Sequence, residues 1–398
     1  MSILIFSKDK IQLMCHAVWA VPGVFIIRLM RPIRCLRICE IRSERIGHFV
    51  QDICEHIGRN YEKNNYYLDL YYFVKVSNTQ WEKMARRSKL IIVPSWIQYL
   101  DRWNKKIPGG RFHLLPSSNT ESRDTDGLFS KFDCSIPFLL SEKLECKSWL
   151  ETKGWRKGEP FVIFLVRDAA YQSEFLPNSR DWDYHNYRNS DIKTYLPAMK
   201  WLADQGVWVL RMGKTMNDRI TLVHEKIIDY AFDQNKSDLL DIWLFSNCNA
   251  IVTTSSGLDI LAAVYKIPVL QINFLPLHHL LSFSAGMILP KKLLWREKKS
   301  YLSISEMLNN GFLKSDEYLN SGIKIIDLTE QEILECIKNF WNVFNDEIKL
   351  EDSHRDLNEK FWKILENNRN YMLINKWRHP NSYVSNAIIN TIGEDLLR

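Results

Sequence analysis

At 398 residues the chain is longer than one hydrophobic core ordinarily serves, so two domains are expected. An apolar fraction of 46%, with 25% charged and 12% aromatic residues, is the balance of a packed globular protein and excludes a disordered chain. The net charge of +6, with no aromatics interleaved among Lys and Arg, gives no support for nucleic-acid binding.

The segment Ile11 to Ile27 is apolar and is followed by Arg28, Arg31, Arg34, Arg37, Arg42 and Arg45. Pro22 and the lack of a basic start with a small-residue cleavage site argue against a signal peptide, and the run is marginal for a spanning helix. Two readings stay open: a core helix leading into the first strand, or a segment lying on the inner face of a membrane beside its arginines.

Residues Arg34 to Ile41 alternate as a strand, and Arg45-Ile46-Gly47-His48 opens a helix to about Ile57. A second strand is predicted over Tyr66 to Val76, a helix over Gln80 to Arg87 and a third strand over Leu90 to Pro94, the alternation of a parallel sheet. A Pro, Gly, Ser and Asp-rich stretch from Ile107 to Asp126 precedes a helix over Ser141 to Leu150. The domain boundary is placed near residue 155, giving a first domain over 1–155, a second over 156–345 and a helical tail over 346–398.

The second half begins with Phe161 to Val166, an apolar run suited to a strand buried on both faces. A long loop to about Ser190, a helix over Ile192 to Gln205 and a strand over Val207 to Leu210 follow. A short strand over Ile227 to Tyr230, a helix over Leu239 to Cys248, a strand over Ala250 to Thr254, a helix over Leu258 to Val264 and a strand over Pro268 to Ile272 complete a β-α-β series. From Thr329 to about Asn367 the pattern is helical. The fold class expected is α/β, with two Rossmann-like domains.

In such sheets ligands bind beyond the carboxyl ends of the strands. Three of those ends carry Arg167-Asp168, Arg211 to Lys214, and Ser255-Ser256-Gly257. Small residues between a strand and a helix offer backbone N–H groups to a phosphate, and Arg167, Arg211 and Lys214 would supply cations for a diphosphate. The same letters also describe a plain helix cap. The Gly-x-Gly-x-x-Gly, Gly-Lys-Ser/Thr, His-Glu-x-x-His and Gly-x-Ser-x-Gly patterns are absent, which leaves redox, P-loop, zinc-protease and serine-hydrolase chemistry without support. Asp181-Trp182-Asp183 matches an Asp-x-Asp metal pattern by three letters only, and no metal site is assigned. The eight cysteines are scattered through apolar runs, as expected of reduced, buried thiols in a cytoplasmic protein.

One ordered series runs through Val166-Arg167-Asp168-Ala169-Ala170-Tyr171, Tyr187-Arg188-Asn189-Ser190-Asp191-Ile192 with Tyr195-Leu196-Pro197, and Gly206 to Gly213-Lys214. It continues through Ile228-Asp229-Tyr230-Ala231, Ser237-Asp238 with Asp241-Ile242, Thr254-Ser255-Ser256-Gly257-Leu258 and Pro268 to Phe274. With Arg45-Ile46-Gly47-His48 it resembles a family of bacterial glycosyltransferases of surface-polysaccharide assembly, over about Arg31 to Leu281. One departure is Leu165-Val166-Arg167-Asp168 where such proteins often show His-Val-Arg-Asp.

The resemblance implies a GT-B arrangement, with a nucleotide-sugar donor held by the second domain, a glycan or lipid-linked glycan acceptor received by the first, and no cofactor or metal. Arg167 resembles the phosphate-contacting arginine of the fucosyltransferase-like branch. Arg211, Lys214, Ser255, Ser256 and Gly257 are then expected at the diphosphate, and His48 or Asp168 as the base of an inverting transfer. A retaining route through Asp229 or Asp233, a non-catalytic sugar-nucleotide scaffold, and a nucleotide-sugar epimerase are the alternatives.

Overall fold

The computed structural model describes residues 8–62, 64–115, 123–168, 170, 183–345 and 352–397. The chain divides into two compact units, Met1–Ser122 with Lys131–Pro137, and Arg123–Ser130 with Phe138–Arg398. The expected boundary near residue 155 falls inside the second of these. Helix Leu140–Thr152, assigned to the first domain from the sequence, instead sets Trp149 edge-on against Tyr230 of the second unit, ring centres 5.4 Å apart.

The first unit is built on a parallel sheet in the order β1 (Cys35–Glu40), β2 (Tyr67–Tyr72), β3 (Ile91–Ile92). β2 stops at Tyr72, short of the expected Val76, because its ladder partner β1 ends at Glu40, opposite Tyr72. Two arginines of the basic stretch are half-buried and paired: Arg37 forks onto its cross-strand partner Asp69 (2.7 and 2.9 Å), and Arg42 onto buried Asp52 (2.6 and 3.1 Å). Helix Ala17–Leu29 turns Val24 and Ile27 toward Ile38, Tyr72, Ile97 and Leu100. The last two belong to helix Ile97–Lys106, which the chain-order reading does not anticipate.

The second unit carries a seven-stranded, all-parallel sheet of β4 (Phe161–Leu165), β5 (Trp208–Arg211), β6 (Ile227–Ile228), β7 (Ala250–Thr253), β8 (Val269–Ile272), β9 (Gly286–Leu289) and β12 (Ser382–Val384). A separate antiparallel pair is formed by β10 (Lys292–Trp295) and β11 (Ile323–Ile326). Every residue of β4 is buried. Val162 and Phe164 share a core with Ala198, Met199 and Leu202 on one side, while Phe161, alternate in the strand, stacks on Trp243 on the other. The helices over Glu330–Phe344 and Asp352–Glu366 agree with the sequence pattern, and the chain beyond them contributes β12 to this sheet rather than standing apart. The fold is α/β, with a parallel sheet in each unit.

The order across the second sheet is β12-β9-β8-β7-β4-β5-β6. The chain therefore moves outward from β4 through β5 to β6, returns to the other side of β4, and moves outward again through β7, β8 and β9. That is the doubly wound order, with its reversal between β4 and β7, where a crevice opens beyond the carboxyl ends of the strands.

Candidate functional site at the sheet reversal

The ends of β4 and β7 are stitched together at this reversal. Thr254 donates its N–H to the Leu165 carbonyl (3.2 Å), and its hydroxyl accepts from the N–H of Arg167 (2.8 Å). The chain then turns sharply, with Ser255 in the left-handed region at φ 76°, a conformation uncommon for a residue with a side chain. Asp259 closes the turn by accepting the Ser256 N–H at 2.6 Å. This closure occupies one donor that a ligand would otherwise take, while no side chain caps helix Asp259–Tyr265, whose N-cap position is Leu258. The hydroxyls of Ser255 and Ser256 and the N–H groups of Gly257 and Leu258 have no partner among the described residues.

Behind the turn lies a residue that sequence reasoning did not single out. Arg188, mostly withdrawn from solvent, donates from Nη2 to the Ser255 carbonyl (3.2 Å), and its Nε is buried without a partner. Among the described residues this is the one acceptor found for a group with five N–H donors. Burial pulls its pKa down, opposed by Tyr187 and Asp259. Burial raises the Asp259 carboxyl to about 7, against the Ser256 N–H, the Thr253 hydroxyl and the Arg188 charge. Arg188 falls within the Tyr187 to Ile192 part of the motif series, but a charge in a polar stretch gives no sign of burial; only the tertiary contact identifies it.

The segment after Arg188 is fixed by Asn273, which follows β8. Its Nδ2 donates to Ser190 Oγ (2.5 Å) and its Oδ1 accepts from the Leu328 N–H (3.1 Å), with the residue fully buried. Lys291, also buried, holds the Asn189 carbonyl and Asp327, each at 2.6 Å.

Beside this segment a cavity of about 330 Å³ is lined by Val166, Asp168, Ser190, Arg211, Asp218 and Asp327, among others. Asp168 uses its carboxylate to hold the N–H groups of Ala170 (2.9 Å) and Asn217 (2.8 Å). Arg211 is only 1% exposed and is engaged with Asp229 (3.1 Å) and the Asp218 carbonyl (2.9 Å), so the expected free cation is instead a clamp on the loop between β5 and β6. Lys214 is exposed, and its carbonyl accepts from Lys236.

No protein-family model matches the chain. No curated protein matches it either. Among solved structures, a glycosyl transferase family 9 protein from Veillonella parvula aligns at 10% identity and a TM-score of 0.41, over 65% of this chain and 86% of its own. The ADP-heptose lps heptosyltransferase II of E. coli aligns at 14% identity and 0.34, over 59% and 84%. The E. coli heptosyltransferase WaaC with ADP aligns at 11% and 0.32, over 64% and 91%.

The carboxylates of the retaining alternative are engaged structurally. Asp229 pairs with Arg211 and accepts the Ile220 N–H, and Asp233 pairs with Lys153. In the first unit His48 is half-buried in the first turn of helix Ile46–Asn60, just past the carboxyl end of β1. Asp181, Trp182 and the side chain of Asp183 lie outside the described residues, as do Ala169 and Tyr171 of the motif series. Among the described residues no three His, Cys, Asp or Glu side chains are grouped to hold a metal ion.

Proposed function

We propose that this chain is a glycosyltransferase that moves a sugar from a nucleoside-diphosphate sugar to a growing cell-surface glycan, without a resident metal. The observation that carries the donor half of this reading is Arg188. A mostly buried guanidinium with one described hydrogen-bond acceptor, and Asp259 as its buried counter-charge, stands behind a turn of open hydroxyls and N–H groups at a sheet reversal with donors left over, and a diphosphate brings the oxygens to fill them. The transferase half rests on the ordered motif series from Val166 to Phe274.

In the reaction the acceptor oxygen attacks the anomeric carbon as its bond to the diphosphate breaks. Arg188, Arg167 and the donors of Ser255, Ser256, Gly257 and Leu258 hold the charge that develops on the departing phosphate. Arg211, tied to Asp229 and Asp218, shapes the wall of the site rather than meeting phosphate, and Lys214 acts from its rim. The cavity beside Asp168 and Ser190 admits one sugar ring. His48 is the proposed base for the acceptor hydroxyl, with Asp168 the second choice. Neutralisation by arginine and backbone donors is the reason for proposing that transfer persists in a chelator.

The test is a thermal-shift screen of the purified chain against UDP, GDP, ADP, CMP and dTDP and their sugars. Saturation at about 100 times the dissociation constant adds roughly 2.7 kcal/mol to the native state. A shift selective for one nucleotide and lost in Arg188→Met supports the donor site, and acceptor-dependent release of that nucleotide supports the transferase. No shift with any of them favours the scaffold, and donor conversion without acceptor favours the epimerase.

A further inference from the structure

Helix Ala17–Leu29 is apolar on all sides, a pattern ordinarily found only where a helix is wholly buried. Its inner side is accounted for by Ala20, Val24 and Ile27, all buried. The opposite side carries Val18 (83% exposed), Phe25, Ile26 and Leu29 (83%), and continues into Met30 and Ile33 (87%). Ile11 and Met14 of the preceding helix, Lys8–Cys15, are exposed as well.

The charge along this face is one-sided. Between Lys8 and Arg37 the basic residues are Lys8, Lys10, Arg28, Arg31, Arg34 and Arg37, and the acidic one is Asp9. Arg28 is turned inward onto the Pro108 and Ile107 carbonyls, and Arg37 onto Asp69. Lys10 and Arg34 are exposed and Arg31 is half-buried. Arg31 lies over the Phe112 ring at 3.6 Å and Arg111 approaches the same ring at 4.9 Å, while Arg34 is exposed with no described partner.

We infer that this face of the first unit docks on an anionic lipid bilayer, with Phe25, Leu29 and Ile33 entering the acyl boundary and Arg31, Arg34 and Arg111 among the head groups. A second copy of the chain is a poor cover, because a two-fold contact would bring two patches of the same positive sign into one interface. The helix lies along the surface rather than crossing it. Among the described residues no single helix is long and apolar enough to span, the two N-terminal helices together are bent by 63°, and the inner side of the second is held in the core. The inference does not depend on the donor reading.

The test is flotation of the full chain with vesicles of phosphatidylcholine alone and of phosphatidylcholine with roughly a third phosphatidylglycerol, at low and high salt. The chain is expected to float with the anionic vesicles, and less so as salt rises. The double variant Leu29→Ser/Ile33→Ser, both sites being exposed, should keep its melting temperature and lose more than about tenfold in partitioning; Arg34→Ser should lose about fivefold. Equal binding to neutral and anionic vesicles, binding to neither, or a double variant that binds like wild type overturns the inference. So does a wild-type dimer in light scattering that the double variant converts to monomer without any vesicle binding.

Discussion

Arg188 and Asp259 sit together behind the Ser255 turn, and each carries a cost that packing alone does not explain. A withdrawn guanidinium with unfilled donors weakens the empty protein and strengthens the bound one. Arg188→Met should therefore leave the ligand-free melting temperature unchanged or raised, while lowering nucleotide affinity by about 10- to 100-fold, the worth of a charge-assisted hydrogen bond of roughly 1.5–3 kcal/mol. Melting curves without ligand and titration calorimetry with it check the two halves separately. For Asp259 the sign follows from its raised pKa. The folded carboxyl keeps its proton up to about pH 7, whereas the unfolded one releases it near its ordinary value, so its contribution to stability is full at low pH and lost as pH rises through that interval. His278 and His279, lowered by burial to about 4 and about 2, act in the opposite direction, so the comparison must be with wild type at each pH. Asp259→Asn should melt like wild type near about pH 4 and above it by a margin that is largest by about pH 7.

At the scale of elements, the strands set the sheet edge and Asn273 fixes what stands on it. Its side chain joins the segment bearing Ser190 to the Leu328 N–H, and its own N–H is taken by the Leu289 carbonyl at 2.8 Å. Asn273→Ala leaves a buried donor without acceptor and opens a small void, and should cost about 2–4 kcal/mol in denaturant unfolding. Because Ser190 lies two residues from Arg188, nucleotide affinity should fall as well. Ser237 offers a control: it caps helix Asp238–Asn247 through the Leu240 N–H (3.2 Å), and Ser237→Ala should cost about 1 kcal/mol with no change in affinity.

For the whole molecule, two units with separate sheets need not melt as one. Calorimetry is expected to resolve two components, and a nucleotide that binds the second unit should move only one of them. A single transition shifted as a whole would mean that the units unfold together.

Much of this architecture is legible in the chain itself. Apolar runs such as Phe161 to Leu165 and the alternation around Arg37 mark strands, and Thr329 marks a helix start, because periodicity and capping are local properties of a few neighbouring residues. The order of β4 to β8 could be anticipated only as repeating units, and the turn Thr254 to Gly257 only as small residues between a strand and a helix. What the sequence could not show is which charges are buried. Arg211 and Lys214 follow the same strand three residues apart, yet one is closed in on Asp229 and the other stands in solvent. Arg188 and Ser255, 67 positions apart, meet only because β7 returns beside β4. Burial and pairing depend on neighbours distant in the chain, so the sequence by itself determined most elements up to β8 and the sheet edge where a ligand would sit, and the tertiary structure decided the remaining strands and which side chains stand at that edge.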